Sequence, residues 1–183
     1  MIFSRDDKSF SFQTSQLESE QDLADRLWLT LIGINEIPPH IALISEGKYY
    51  SVSAKKVDLG SSLEALLNTL KRKKIPALFV RINSEPLVRE VQSIYSQNEP
   101  LGNTNETCLS PIKTVFLSCF SPDFSNVNYV FELLALAEDK GLLKTCCVLN
   151  YESRNSNIVT LPTYTKDQIR KRITDLRIMI QDI

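Results

Sequence analysis

Apolar positions recur along the chain at two periods, and each period predicts a type of element. Residues 1–16 are polar apart from aromatics at Phe3, Phe10 and Phe12, and the Phe10–Ser11–Phe12 alternation predicts a short edge strand. Over residues 17–32, Leu17, Leu23, Leu27, Trp28, Leu31 and Ile32 recur at helical spacings. Glu18, Glu20 and Asp22 sit near the start, where a helix dipole favours acids, so a helix is predicted there with Gly33 as its stop. Pro38–Pro39 forces an extended entry into 40–45, His-Ile-Ala-Leu-Ile-Ser, which reads as a strand. Glu46–Gly47 is a turn, and 48–53 returns as the second strand of a hairpin.

Ser61 or Ser62 caps a predicted helix through Leu63, Leu66, Leu67 and Leu70, whose basic end runs from Lys71 to Lys74. Residues 76–82 predict a strand, and 85–97 a helix with Leu87, Val91, Ile94 and Tyr95 on one face. Turn formers fill 98–107, which reads as a loop. Residues 108–120 read two ways. Leu109, Ile112, Val115 and Phe116 suit a helix face, whereas 114–120 equally suits a buried strand. A helix over 126–140 ends at Gly141, a strand covers 143–151, and 158–161 offers another. Thr165 caps a last helix to about 181, with Ile169, Ile173, Leu176 and Ile180 on its apolar face. No repeat or domain boundary interrupts this pattern. One domain over 1–183 is expected, with 1–37 as an N-terminal extension and helix, and 38–183 as the core.

Composition narrows the function classes. Of 183 residues, 43 % are hydrophobic and 23 % charged, which excludes general disorder. The formal net charge of −1 leaves no electrostatic footprint for nucleic acid. No apolar run is long enough to cross a bilayer, and the first residues carry no secretory pattern, so a cytoplasmic protein is expected. The four cysteines, Cys108, Cys119, Cys146 and Cys147, form no C-x-x-C pair, and the chain holds one histidine, His40. That set does not supply a structural zinc site, and it excludes any mechanism needing two histidines. No cofactor and no metal are expected. Cys119, Cys146 and Cys147 lie among apolar residues and read as core.

Two positions carry candidate chemistry. His40 opens a strand whose hairpin partner bears Ser51 and Ser53. Cys108 follows a turn-rich loop and, if a helix starts there, sits at its N-cap with Pro111 in the first turn. A thiol at a helix N-terminus feels the positive end of the dipole, which favours thiolate, and an imidazole nearby can take its proton. Each residue also has a plainer reading, His40 as a strand-end residue and Cys108 as a small hydrophobe.

The segments 40–50, His-Ile-Ala-Leu-Ile-Ser-Glu-Gly-Lys-Tyr-Tyr, and 107–116, Thr-Cys followed by Leu109, Ile112 and Phe116, resemble the permuted branch of the papain-like NlpC-type superfamily, which includes YiiX-like and lecithin:retinol acyltransferase-like enzymes. In that branch the histidine strand precedes the cysteine helix, as His40 precedes Cys108 here by 68 positions. The resemblance implies a papain-like α+β fold, with an antiparallel sheet packed by helices. The alternative, if 114–120 is a strand, is a three-layer α/β sandwich with a parallel sheet. The resemblance further implies a cysteine hydrolase or acyltransferase, with Cys108 as nucleophile and His40 as general base. Ser51 and Ser53 are the candidates for a third group on the neighbouring strand, although the family more often uses His, Asn, Asp, Gln or Glu there. Tyr50 and Thr107 are candidate substrate contacts. The substrate would be an amide or ester, such as a small peptide, a cell-wall fragment or a lipid amide. The contrasting reading is a non-catalytic interaction module that keeps the fold. The sequence specifies no oligomeric state.

Overall fold

The six-residue run Leu-Trp-Leu-Thr-Leu-Ile is apolar on both faces, and such a run is stable only as a strand covered on both sides. The computed structural model of the protein describes residues 3–6, 8–101, 106–151 and 157–181, with the side chains of 176, 177 and 179–181 outside the description. It places that run, β4 (Leu27–Ile32), in the middle of a seven-stranded sheet. The strands preceding it are β1 (Phe3–Arg5), β2 (Ser9–Gln13) and β3 (Ser15–Gln16), and a single helical turn, α1 (Gln21–Ala24), leads into it. Then follow β5 (His40–Ser45), β6 (Lys48–Val52), β7 (Val57–Ser62), α2 (Leu63–Lys73) and β8 (Ala77–Ile82). The chain continues through α3 (Val88–Tyr95), α4 (Leu109–Cys119), a 3-10 turn, α5 (Val130–Asp139), β9 (Leu143–Leu149), β10 (Ile158–Pro162) and α6 (Lys166–Gln181).

The fold is α+β. The large sheet has the order β3-β9-β8-β4-β5-β6-β7. Its pairs are antiparallel except β3 with β9, which run parallel over two residues. Residues 114–120, which could have formed a strand of a parallel sandwich, instead complete α4, with Phe120 as its C-cap. Alternation along the strands divides the core. On one face Ala42, Ile44, Phe79 and Trp28 meet Leu63, Leu67 and Leu70 of α2 and Leu23 of α1. On the other, Leu29, Leu31, Ile41, Leu43 and Val80 meet Val91 and Tyr95 of α3, Ile112, Val115 and Phe116 of α4, and Leu133 and Leu134 of α5. Vicinal Cys146 and Cys147 go to opposite faces, as successive strand residues must.

The N-terminal third differs from the sequence expectation. Residues 17–32 are not one helix. A continuous apolar run satisfies helical spacing trivially, and here burial on both faces decides for strand. The Phe10–Ser11–Phe12 segment is not an edge either. β2 is the middle strand of a second, three-stranded sheet, β1-β2-β10. Phe3, Phe10 and Phe12 pack with Val159 and Leu161 into the main core. β1 and β2 therefore belong to the small sheet and β3 and β4 to the large one, so this part of the chain is built into both rather than appended. Other local readings hold: the Ser62 hydroxyl accepts from the Ala65 N–H at 3.1 Å, and Lys71, Arg72 and Lys73 occupy the last turn of α2. Ile169 packs against the main core, while Leu176 and Ile180 fall outside the described side chains. Among the described residues no helix is long and apolar enough to cross a membrane.

Leu29 is fully buried, between Leu43 of β5 and Val80 of β8. Leu29→Ala is expected to lower the free energy of unfolding by about 2–5 kcal/mol. The exposed Leu59 offers the comparison, where Leu59→Ala should change stability by less than about 0.5 kcal/mol. Urea unfolding followed by circular dichroism measures both.

Candidate functional site

α4 begins where the loop after α3 turns inward. The turn is fixed by a reciprocal pair of bonds: the Leu109 N–H donates to Thr107 Oγ1, and the Thr107 N–H donates to Ser110 Oγ, each at 3.3 Å. Cys108 is the N-cap, and Pro111 lies in the first turn, where a missing N–H is not needed. The apolar face of α4 packs beside β5 and seats Cys108 at the start of that strand.

The Cys108 sulfur is approached by the backbone N–H of Ile41 and by its own N–H, both of which favour thiolate. Burial outweighs them and pushes the thiol up. The helix N-terminus alone predicts the opposite direction. The difference arises because the dipole acts through partial charges, whereas enclosure removes the solvation of a whole one.

His40 is the first residue of β5, paired with Ile32 of β4. The residue keeps part of its surface exposed, but its ring is enclosed, and burial lowers its pKa to about 4. The imidazole is therefore neutral at pH 7. Its Nε2 lies 3.4 Å from the Tyr49 hydroxyl. Tyr49 is itself held neutral, pushed up to about 12 chiefly by burial, with the Ser51 hydroxyl as its hydrogen-bond partner. Tyr49 and Ser51 stand two apart on β6, so they share one face, and alternation along β5 gives His40 the face of Ala42 and Ile44. Small side chains at Ala42 and Ser51 leave room for the Tyr49 ring to reach His40. A row Ser51–Tyr49–His40 results.

Among the described residues no hydrogen bond joins the Cys108 thiol to the His40 ring. The two meet through the backbone of Ile41, which follows His40 and offers its N–H to the sulfur. The other sequence candidates divide as follows. Ser51 stands behind Tyr49 in the histidine row. Ser53 is elsewhere: its hydroxyl donates to the Lys56 carbonyl at 2.9 Å and accepts from the Lys56 N–H, closing the β6–β7 turn. Thr107 lines the pocket at Cys108. Tyr50 is fully buried on the opposite face, its ring centroid 5.8 Å from that of Tyr95. It also covers Gly60, where a Cβ would lie 3.4 Å from the Tyr50 oxygen. Tyr50 is thus a core residue rather than a substrate contact. Tyr49 is the residue that the sequence reading missed as a partner for His40. Its signal was present, because strand alternation separates Tyr49 from Tyr50 once the hairpin register is fixed.

The pocket at Cys108 is small, about 30 Å³, enough for one water. Pro38, Pro39, Ile41, Tyr129 and Tyr164 form its walls. It shares Thr107, Leu109, Asn128 and Ile169 with a larger cavity of about 270 Å³ between the starts of α4 and α6. Among the described residues no three His, Cys, Asp or Glu side chains gather as a metal site. No family model, curated protein or solved structure matches the chain.

The neutral, buried His40 makes a pH prediction. Its folded pKa, about 4, lies below its ordinary value of 6.5, so the unfolded chain binds the proton more readily. The stability tied to neutral His40 is complete above pH 6.5 and is lost as pH falls toward 4. The expected loss over that window is up to about 3 kcal/mol. His40→Gln should flatten the stability profile between those limits. An equally steep profile in that variant would assign the loss to other groups.

Proposed function

We propose that the chain is a cysteine hydrolase or acyltransferase acting on an amide or ester, with a papain-like fold of permuted order. The supporting observation is the seat of Cys108: a helix N-cap beside the histidine strand, with two backbone N–H groups at its sulfur. Cys108 would attack the carbonyl carbon, forming an S–C bond as its proton passes to His40. His40 would return that proton to the leaving amine or alkoxide as the C–N or C–O bond breaks. Water, or an acceptor nucleophile in the transferase case, would then release the acyl group. With Nε2 engaged by Tyr49, Nδ1 would have to take the proton, and because the ring lies on the face of Ala42 and Ile44 while Cys108 packs with Ile41 on the other, the transfer would have to pass around the first residue of β5. The competent tautomer donates Nε2–H to the Tyr49 oxygen while the Tyr49 hydrogen turns to Ser51. Tyr49, assisted by Ser51, would thus orient the ring in the place where the family more often has a carboxylate, amide or second histidine. The Ile41 N–H, which faces the sulfur, would steady a developing oxyanion. A reducing compartment such as the cytoplasm would keep this thiol free, and all four cysteines are unpaired in the structure.

A second reading is a non-catalytic module that has kept this architecture. The raised thiol and the missing hydrogen bond between Cys108 and His40 favour it.

An acylating ester separates the two. With p-nitrophenyl acetate, the hydrolase reading expects a burst of p-nitrophenol and an acetyl adduct on Cys108 by intact-mass and peptide mapping. His40→Ala should slow acylation by about a hundredfold or more, and Tyr49→Phe should slow it less. If Cys119, which is half-buried, acquires the acetyl group sooner than Cys108, or if His40→Ala leaves the rate unchanged, the module reading stands instead.

A further inference from the structure

The larger cavity adjoins the pocket at Cys108, but its composition is not explained by thiol chemistry. Lys113 of α4 and Lys166 and Arg170 of α6 all line it, and no carboxylate does. Lys166 and Arg170 are four apart on α6, so they project from one helix face. Ile169 and Ile173 lie on that same face and also line the cavity, with Leu109 and Val127 as buried apolar walls. Among the described residues Lys113 and Lys166 have no carboxylate partner. Arg170 has Asp167 at 3.5 Å along the exposed side of its own helix, a pairing of little weight in water.

Three positive charges around one concavity repel each other and raise the local concentration of anions. The neighbouring apolar walls gain nothing from a bare ion. They favour a ligand with an anionic head and an apolar body. The volume of about 270 Å³ is at the small end for small-molecule sites, which limits that body to a short chain or a single ring.

We propose that the cavity between α4 and α6 is a binding site for a small amphipathic anion, a carboxylate or phosphate monoester bearing a short apolar group. Lys113, Lys166 and Arg170 hold the head, and Leu109, Val127 and Ile169 cover the body. This inference goes beyond the thiol chemistry and does not need it, because binding is read without turnover.

Calorimetric titration of the full chain tests it at neutral pH, with octyl phosphate, octanoate and octanol as probes below their micelle concentrations. Saturable one-to-one binding of octyl phosphate or octanoate is expected, with octanol much weaker. The tighter of the two anions identifies the head group. Lys166→Glu combined with Arg170→Glu should weaken binding about tenfold or more. Both residues are exposed, so the fold should survive the change. Lys113→Gln, on the other helix, should weaken binding in the same direction and stands as an independent variant. Lys71→Glu with Lys74→Glu, at the far end of α2, changes net charge equally and should leave affinity unaltered. Cys108→Ser should bind as the parent does, which separates this site from the fate of the thiol reading. Absence of saturable binding, octanol binding as tightly as the anions, or equal weakening by the α2 pair would each overturn the proposal.

Discussion

A strand that is apolar on both faces cannot end at water on either side, and β4 imposes that constraint on the whole chain. Leu29 and Leu31 point one way, Trp28 and Thr30 the other, and both sets are buried. One side is closed by α2 and the single turn of α1. The other needs much more cover, and α3, α4, α5 and the small sheet supply it. The position of Cys108 follows from this arrangement. α4 is drawn onto the sheet by Ile112, Val115 and Phe116, all fully buried, and its N-terminus comes to rest at the first residues of β5. The thiol is where it is because the helix behind it has a hydrophobic debt to settle against β4 and its neighbours.

The same sheet sets the electrostatics of the site. His40 lies where β5 and β6 have parted, since their pairing runs only from Leu43 with Tyr50 to Ser45 with Lys48, whereas Tyr49 stands within that pairing opposite Ile44 and its hydroxyl comes to 3.4 Å from the His40 ring. Polar side chains there are taken out of water without being charged. Burial acts on thiol, phenol and imidazole alike, and in each case it favours the neutral form. The three groups are therefore neutral at pH 7.

Much of this was legible in the sequence where one local signal dominated. The hairpin at 40–53, the cap at Ser61 or Ser62 with its helix from Leu63 through Leu70, and the strand read over 143–151 and found over Leu143–Leu149 each rest on a turn residue, a cap or a simple period. The helix at 109–119 was ambiguous, because a dense apolar segment matches both periods, and only the Pro111 position and the turn bonds of Thr107 and Ser110 favour helix locally. The strand at 27–32 was misread for the same reason, since two-sided burial is a property of the sheet and not of the segment. At the site, His40 and Cys108 were visible in the sequence as residue types, a lone histidine opening a strand and a cysteine at a helix start. Tyr49 was legible only once the hairpin register separates it from Tyr50, because alternation then gives it the face of His40. The cationic cavity was also hidden, as it assembles Lys113 with Lys166 and Arg170 from segments more than fifty residues apart.

The small sheet has a consequence for how the chain reaches this structure. β2 near the N-terminus pairs along its whole length with β10, and β3 pairs with β9. Neither pairing can form until most of the chain is available, whereas the hairpin of β5 and β6 closes over a two-residue turn. Long-range pairings of this kind slow folding, because the loop must close before any contact rewards it. During synthesis Phe10 and Phe12 remain without their native cover until β10 emerges. The segment bearing Phe10 and Phe12 thus waits for its partner strand longer than the hairpin of β5 and β6 does, with more opportunity to associate wrongly.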